Sequence, residues 1–213
     1  VDALVSPAEA EAAMADAFGR LAAGSAAMQA RVRTEAGGVK LSTLGAVIPG
    51  QDAVGAKVYT TIAGRFSFVI LLFSATTGAP LATFDAAAIT RLRTAACSVL
   101  ASRHLARPTP RTLAVLGLGT QGRAHADAFA AAYPLREVRI ASPRATPADA
   151  EALQEALGVP VRLGTIDEAV DGADLVVTAT RTVEPLFNGA RLADGAYVAA
   201  VGSSLPTTRE LDD

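Results

Sequence analysis

A short apolar run that leads directly into G-x-G-x-x-G constrains this chain more than any other feature. Residues 112–116 read as a β-strand, a helix-like pattern begins at Thr120, and the glycines between and after them are Gly117, Gly119 and Gly122. In this context Gly117 allows a tight turn, Gly119 lets a pyrophosphate approach the backbone, and Gly122 lets the helix pack closely on the strand. The stretch therefore predicts a dinucleotide site, and an ordinary glycine-rich βα turn is the alternative.

The residues around this motif follow a β-α-β order. We predict strands at 112–116, 137–141, 159–162, 174–179 and 196–201, and helices at 120–132, 147–157 and 166–170. Strands that alternate with helices imply a parallel sheet covered on both faces. The expected fold class is therefore α/β, with a Rossmann-type doubly wound parallel sheet.

The first half of the chain has a different pattern. Residues 6–23 read as an amphipathic helix, and β-type runs follow at 29–34, 39–47, 53–62 and 66–74, with turn residues between them. A long helix is predicted over 85–105, and the proline-rich segment 107–111 ends it. We expect an N-terminal α+β domain over residues 1–108 and a dinucleotide-binding domain over residues 109–213.

Charge and composition narrow the range of partners. A net charge of −2 at pH 7 argues against the basic face that nucleic-acid binding needs, and the longest apolar run is too short to cross a bilayer. We therefore expect a small-molecule partner, no nucleic acid and no membrane. Two histidines and one cysteine have no metal-ligand spacing, so no metal is expected. The single cysteine, Cys97, excludes an intramolecular disulfide and favours a cytoplasmic location.

The end of the second strand of this half indicates which cofactor binds. NAD sites usually place a carboxylate there for the ribose hydroxyls, whereas this chain has Ser142 and Arg144. Arginine offers planar, charged donors to a 2′-phosphate, so we favour NADP(H) over NAD(H); a solvated Arg144 is the alternative. The other residues expected to bind the cofactor are Thr120, Gln121, Thr178, Thr180, Val201 and Gly202.

Residues outside the glycine motif resemble a known family. The segments 81–85 and 89–96, with R-T-A-A at 93–96, resemble the signature of the ornithine cyclodeaminase and mu-crystallin family, as do residues 117–122 and 199–212. The resemblance implies two lobes, one of which binds substrate and forms a homodimer. It also implies hydride transfer between a nicotinamide and the α-carbon of an amino or imino acid. Members usually continue past the Glu-Leu-Asp motif, so we expect this chain to lack a C-terminal return segment.

The resemblance also implies a set of substrate-site residues. Arg33 and Arg93 match arginines that hold the substrate carboxylate, and Lys57 matches the active-site lysine. Two guanidinium groups suit a carboxylate, and the lysine can bind the same anion or donate a proton near the imine nitrogen. For each residue alone, a solvated surface cation is the alternative.

Ser204 marks a departure from the family pattern. Cyclodeaminating and alanine-oxidising members carry an aspartate at this position, whereas a serine hydroxyl lacks carboxylate basicity. We therefore expect an NAD(P)H-dependent reductase of imino acids, such as pyrroline-2-carboxylate or piperideine-2-carboxylate. Ser204 would donate a hydrogen bond or relay a proton through water. An ornithine cyclodeaminase and a non-catalytic NADP- or small-ligand-binding protein are the alternatives.

Overall fold

The structure, a computed structural model, describes residues 4–203 and 206–213. These residues divide into two compact units, formed by residues 4–5 and 12–90, and by residues 6–11, 91–203 and 206–213. The division falls inside two helices, α1 (Pro7–Ala22) and α2 (Ala87–Leu105), and not at residues 108 and 109. The later turns of α2 belong with the second unit because they pack there: Ser98 Oγ lies 3.0 Å from His125 Nε2. A boundary between a substrate-binding domain and a dinucleotide-binding domain at residues 108 and 109 stays a prediction.

The first unit is built on an antiparallel sheet of six strands. These are β1 (Ala27–Met28), β2 (Val32–Ala36), β3 (Val39–Ile48), β4 (Ala53–Ile62), β5 (Arg65–Phe73) and β6 (Pro80–Asp85). The strand order is β1-β3-β4-β5-β6, and β2 also pairs with β3. Gly37 and Gly38, both with positive φ, form the two-residue turn between β2 and β3, which the sequence predicts.

Strand β6 and the start of α2 depart from the sequence prediction. Residues 77–80 read as a turn, but Pro80–Asp85 pairs with β5. Pro80 is the first residue of a strand at the sheet edge, where a missing N–H removes no ladder bond. The helix begins at Ala87 rather than at Asp85, because the Asp85 carboxylate accepts the Ala87 N–H at 2.8 Å. The strand predicted at 29–34 is also wrong in its bounds, since β1 and β2 form there instead.

The second unit contains a five-stranded parallel sheet. Its strands are β7 (Thr112–Leu116), β8 (Glu137–Ala141), β9 (Val161–Leu163), β10 (Leu175–Thr178) and β11 (Tyr197–Ala200). Its helices after α2 are α3 (Thr120–Ala132), α4 (Pro147–Leu157) and α5 (Ile166–Val170). The strand order β11-β10-β7-β8-β9, with every neighbouring pair parallel, confirms the Rossmann-type fold class.

Apolar side chains cover both faces of the parallel sheet. On one face Phe129 of α3 belongs to the same buried cluster as Val115, and on the other Val170 of α5 clusters with Leu116 and Val176. All five side chains are fully buried. Burying a side chain of this kind contributes about 1.5–3 kcal/mol, so the packing holds the carboxyl ends of β7 and β10 in place. Within the described parts of the chain, no helix combines the length and apolar character that a membrane crossing requires.

Candidate functional site

The glycine-rich turn joins β7 to α3 in the second unit. Gly117 has φ +95°, and a Cβ there would lie 2.7 Å from the carbonyl oxygen of Ala179. A Cβ on Gly122 would overlap the Gly117 carbonyl. Gly119 differs, because a Cβ there would meet nothing within 4 Å, and both Gly119 and Thr120 are exposed. Two of the glycines are therefore required by the protein's own packing, and the third faces open space.

The open side of this turn fits a dinucleotide pyrophosphate. Gly119 is the N-cap of α3 and provides no side-chain cap, so backbone N–H groups of the first helical turn remain free for an anion. The amide oxygen of Gln121 is buried without a hydrogen-bond partner in the described structure. The next turn of α3 is structural, because buried His125 donates from Nδ1 to the Gln121 carbonyl at 2.7 Å.

Thr178, Thr180 and Gly202 meet at the carboxyl ends of β10 and β11. The carboxylate of Glu210, only 1% exposed, accepts hydrogen bonds from Thr178 Oγ1 at 2.9 Å, Thr180 N at 2.6 Å, Thr180 Oγ1 at 2.7 Å and Gly202 N at 2.7 Å. Val201 joins the same edge by donating its N–H to the Thr178 carbonyl at 2.9 Å. Sequence reasoning gave Glu210 no site role, although it lies in the Glu-Leu-Asp motif. Its carboxylate holds together the carboxyl ends of β10 and β11, and β10 lies next to β7, the strand that leads into the glycine turn.

Ser142 and Arg144 follow β8 at the carboxyl end of the parallel sheet. The chain turns here, with the Ala145 N–H donated to the Ser142 carbonyl at 3.1 Å. Arg144 is exposed. An exposed guanidinium at this turn is able to bind a phosphate, and the preference for NADP(H) remains a prediction.

Arg33 and Lys57 lie on one face of the antiparallel sheet in the first unit. Arg33 pairs with Ser42 across β2 and β3, and Ser42 pairs with Tyr59 across β3 and β4. Lys57 precedes Tyr59 by two residues, and side chains alternate along a strand, so all four share a face. The structure thus brings two of the predicted substrate residues onto one surface.

The ammonium group of Lys57 is held among polar and aromatic partners. Its Nζ donates to Thr90 Oγ1 at 3.2 Å. It also lies 4.7 Å from the centre of the Phe68 ring and 5.4 Å from that of Tyr59. Aromatic faces attract a cation, so these contacts stabilise the charged group in one position.

Sequence reasoning missed Arg31 and Tyr59, which join this face. Arg31 Nη1 donates to Tyr59 Oη at 3.4 Å, and Arg33 Nε donates to Ser42 Oγ at 3.2 Å. Burial raises the pKa of Tyr59, but hydrogen bonds with Ser42, Arg31 and Arg33 and the charge of Arg31 outweigh it and lower the pKa to about 8. The available signal was spacing, because Arg31 precedes Arg33 by two residues and Tyr59 follows Lys57 by two.

Arg93 lies on α2 in the second unit, and Ser204 lies outside the described residues. Arg93 is exposed, and its positive charge acts on the Cys97 thiol four residues later. Burial raises the pKa of Cys97, and Arg93 offsets this only in part, which disfavours a reactive thiolate. The role of Arg93 in carboxylate binding stays a prediction. Among residues 4–203 and 206–213, no group of three His, Cys, Asp or Glu side chains is placed to hold a metal ion.

The parallel sheet, with a glycine turn that is open at a helix N-terminus, defines a Rossmann-type nucleotide-binding protein. Its first unit adds a sheet face rich in cations. The chain belongs to the ornithine cyclodeaminase/mu-crystallin family, whose model matches residues 1–213.

Known relatives include proteins with several activities. The ketimine reductase mu-crystallin of Rattus norvegicus is 34% identical over 181 residues, covering 81% of this chain and 57% of that protein. A probable ornithine cyclodeaminase from Bordetella pertussis Tohama I is 56% identical, with a TM-score of 0.94 over 98% of this chain and 67% of that one. The Thermococcus litoralis Delta(1)-pyrroline-2-carboxylate reductase, solved with NADH and L-proline, is 26% identical, with a TM-score of 0.90 over 98% of this chain and 68% of that one. This chain spans about half the length of the curated relatives it matches.

Proposed function

We propose that this protein is an NAD(P)H-dependent reductase of imino acids. Its substrates would be cyclic ketimines such as pyrroline-2-carboxylate or piperideine-2-carboxylate, and its products L-proline or pipecolate. The observation that carries the proposal is the shared sheet face of Arg33 and Lys57, in a chain that also has an open glycine turn. The proposal is supported by relatives described as a ketimine reductase and as a pyrroline-2-carboxylate reductase bound to NADH and L-proline.

The roles of the cationic residues follow from their chemistry. Arg33 holds the substrate carboxylate through its terminal N–H groups, because its Nε is engaged with Ser42. Lys57, placed by Thr90, donates a proton to the imine nitrogen. Nicotinamide, when bound, supplies the hydride that reduces the imine carbon. Arg93 is the second carboxylate-binding arginine in this proposal, and Ser204 orders a water near the nitrogen.

The cofactor we propose is NADP(H) rather than NAD(H). The exposed Arg144 and the neighbouring Ser142 favour a 2′-phosphate, and none of residues 142–148, which follow β8 directly, has a carboxylate that would repel it. Arg144→Asp should reverse the preference, raising the KM for NADPH at least tenfold while NADH is used as well as before or better. An unchanged KM for NADPH would contradict the assignment of Arg144.

A homodimer is the proposed assembly. The sheet face opposite Lys57 carries six apolar residues that are 37–50% exposed, namely Val32, Val39, Leu41, Val47, Ile62 and Val69. An exposed apolar patch of this kind is typical of a protein–protein interface.

Two other functions remain as candidates. An ornithine cyclodeaminase is favoured by the 56% identity to the probable cyclodeaminase from Bordetella pertussis. It would release ammonia from ornithine with no net formation of reduced cofactor. A non-catalytic binding protein would bind the nucleotide without turnover of any ketimine, and Lys57→Ala would change neither property.

The experiment that tests the proposal measures oxidation of NADPH and of NADH with pyrroline-2-carboxylate and with piperideine-2-carboxylate. We expect turnover that Lys57→Ala reduces at least a hundredfold, because general acid catalysis is lost. Lys40→Ala is the matched control, since Lys40 is the other lysine of the chain and pairs with Glu35 at 3.3 Å on the same sheet. Absence of turnover, together with ammonia release from ornithine, would replace the reductase by the cyclodeaminase.

A further inference from the structure

Four neighbouring strands align a row of side chains on the sheet face that carries Lys57. Arg33 of β2 pairs with Ser42 of β3, Ser42 with Tyr59 of β4, and Tyr59 with Phe68 of β5. Ser42 is fully buried and Tyr59 is 7% exposed. Two buried hydroxyl groups therefore lie in the middle of this row, where each must find a polar partner.

Both hydroxyl groups accept hydrogen bonds from guanidinium groups of exposed arginines. Arg31 Nη1 donates to Tyr59 Oη at 3.4 Å, and Arg33 Nε donates to Ser42 Oγ at 3.2 Å. Arg31 and Arg33 are both exposed. Within the described residues neither arginine forms an ion pair, and Glu35, the one carboxylate of β2, pairs with Lys40 at 3.3 Å. The arrangement offers positive charge to an anion from outside the described chain.

We propose that Arg31 and Tyr59 are further substrate-positioning residues, which together with Arg33 and Ser42 bind the carboxylate of the imino acid. The proposal rests on the proposed function for the identity of that substrate. Tyr59 holds Arg31 in place by accepting its N–H, and Ser42 does the same for Arg33. Two fixed guanidinium groups and one phenol hydroxyl give a carboxylate more donors than Arg33 alone provides.

The protonation of Tyr59 gives this arrangement a measurable property. The groups that face Tyr59 are Arg31, which directly precedes β2, Arg33 from β2, Ser42 from β3, Lys57 from its own strand and Phe68 from β5. Burial raises the pKa of Tyr59, but the hydrogen bonds with Ser42, Arg31 and Arg33 and the positive charge of Arg31 lower it to about 8. A bound carboxylate would add a negative charge beside the phenol, and like charges disfavour ionisation. Ligand binding should therefore raise the pKa of Tyr59, and the affinity for a carboxylate should fall as pH rises above about 8.

Spectrophotometric titration of the tyrosines tests the proposal directly. The chain has three tyrosines and no tryptophan, so the absorbance of a single phenolate is easy to resolve. We expect one tyrosine to titrate near pH 8, and this step to vanish in Tyr59→Phe. Tyr133→Phe is the matched control, because Tyr133 is 8% exposed and its hydroxyl also lies by a buried serine, 2.8 Å from Ser102 Oγ. That variant should keep the step.

Ligands then separate a binding role from a structural one. L-Proline should move the step to higher pH, whereas prolinamide, which lacks the carboxylate, should leave it unchanged. The absence of any step near pH 8 in the unmodified protein, or a step that L-proline and prolinamide move equally, would overturn the proposal. A shift by L-proline in a protein that oxidises neither NADPH nor NADH would retain this carboxylate site and remove the proposed reductase.

Kinetics give a second, independent measurement. Tyr59→Phe keeps the ring that packs beside Phe68, whose centre is 5.3 Å away, so the fold should be retained and circular dichroism will check it. We expect the KM for the imino acid to rise about tenfold with little change in kcat, because a hydrogen bond to a charged group is lost. A fall in kcat with an unchanged KM would contradict a positioning role, and Tyr133→Phe should change neither constant.

Discussion

Replacing Gly119 or Gly117 by alanine should have opposite consequences for stability. At Gly117 the positive φ of +95° costs an L-residue about 1–2 kcal/mol, and the new Cβ would lie 2.7 Å from a backbone carbonyl. Relieving that overlap adds about 1–3 kcal/mol, so Gly117→Ala should lower the free energy of unfolding by about 3 kcal/mol. At Gly119 the backbone is extended, with φ −81°, and a Cβ meets nothing within 4 Å. Gly119→Ala should therefore stabilise the protein by up to about 1 kcal/mol, because the unfolded chain loses freedom.

Cofactor binding should depend on Gly119 despite its small effect on stability. The open space before α3 is where we expect the pyrophosphate, so the Cβ of Gly119→Ala would hinder its approach to the backbone N–H groups. Calorimetric unfolding without ligand and isothermal titration with NADPH measure the two effects separately. We expect Gly119→Ala to weaken NADPH binding at least tenfold, which is about 1.4 kcal/mol. Unchanged NADPH affinity, or a loss of stability as large as that of Gly117→Ala, would refute this reasoning.

Three further predictions concern stability and assembly. Burial lowers the pKa of His125 below its usual 6.5, so the unfolded chain takes up the proton first and stability should fall as pH drops below about 6.5. Chemical denaturation at a series of pH values should show a smaller fall in unfolding free energy for His125→Gln than for the unmodified protein. His104→Gln, at an exposed position, should behave like the unmodified protein. Equal pH dependence in all three proteins would contradict this prediction. The Glu210 carboxylate accepts four hydrogen bonds, and Glu210→Gln replaces one of its two acceptor oxygens by an NH2 donor, so the free energy of unfolding should fall by about 3 kcal/mol. Glu155→Gln, at an exposed position, is the control and should cause no change. Leu41→Glu puts a charge on the exposed apolar sheet face, and light scattering should find a monomer where the unmodified protein is a dimer; a dimeric variant would exclude this face as the interface.

Local sequence patterns predicted most of the second unit. The bounds of β7, β8, α3, α4 and α5 follow the prediction residue for residue, because each element has a clear hydrophobic period and a turn signal at its ends. The first unit was predicted less well. Strand β6 escaped because Pro80 reads as a turn residue, and only pairing with β5 at a sheet edge makes it the start of a strand.

The sequence by itself determined the nucleotide-binding turn and the family. The spacing of Gly117, Gly119 and Gly122 is a local constraint, since the turn, the helix N-terminus and the helix packing all lie within one βα unit. Arg33 and Lys57 were found through resemblance to a family, because a single cation carries no local sign of its role.

Tertiary structure alone decided which partners these residues have. The row from Arg33 through Ser42 to Tyr59 joins three strands, and Glu210 reaches back to Thr178 and Thr180, some thirty positions earlier in the chain. Such contacts depend on the register of strand pairing and on where a late loop returns to the sheet. Neither is a property of a short stretch of sequence, because long-range packing fixes both.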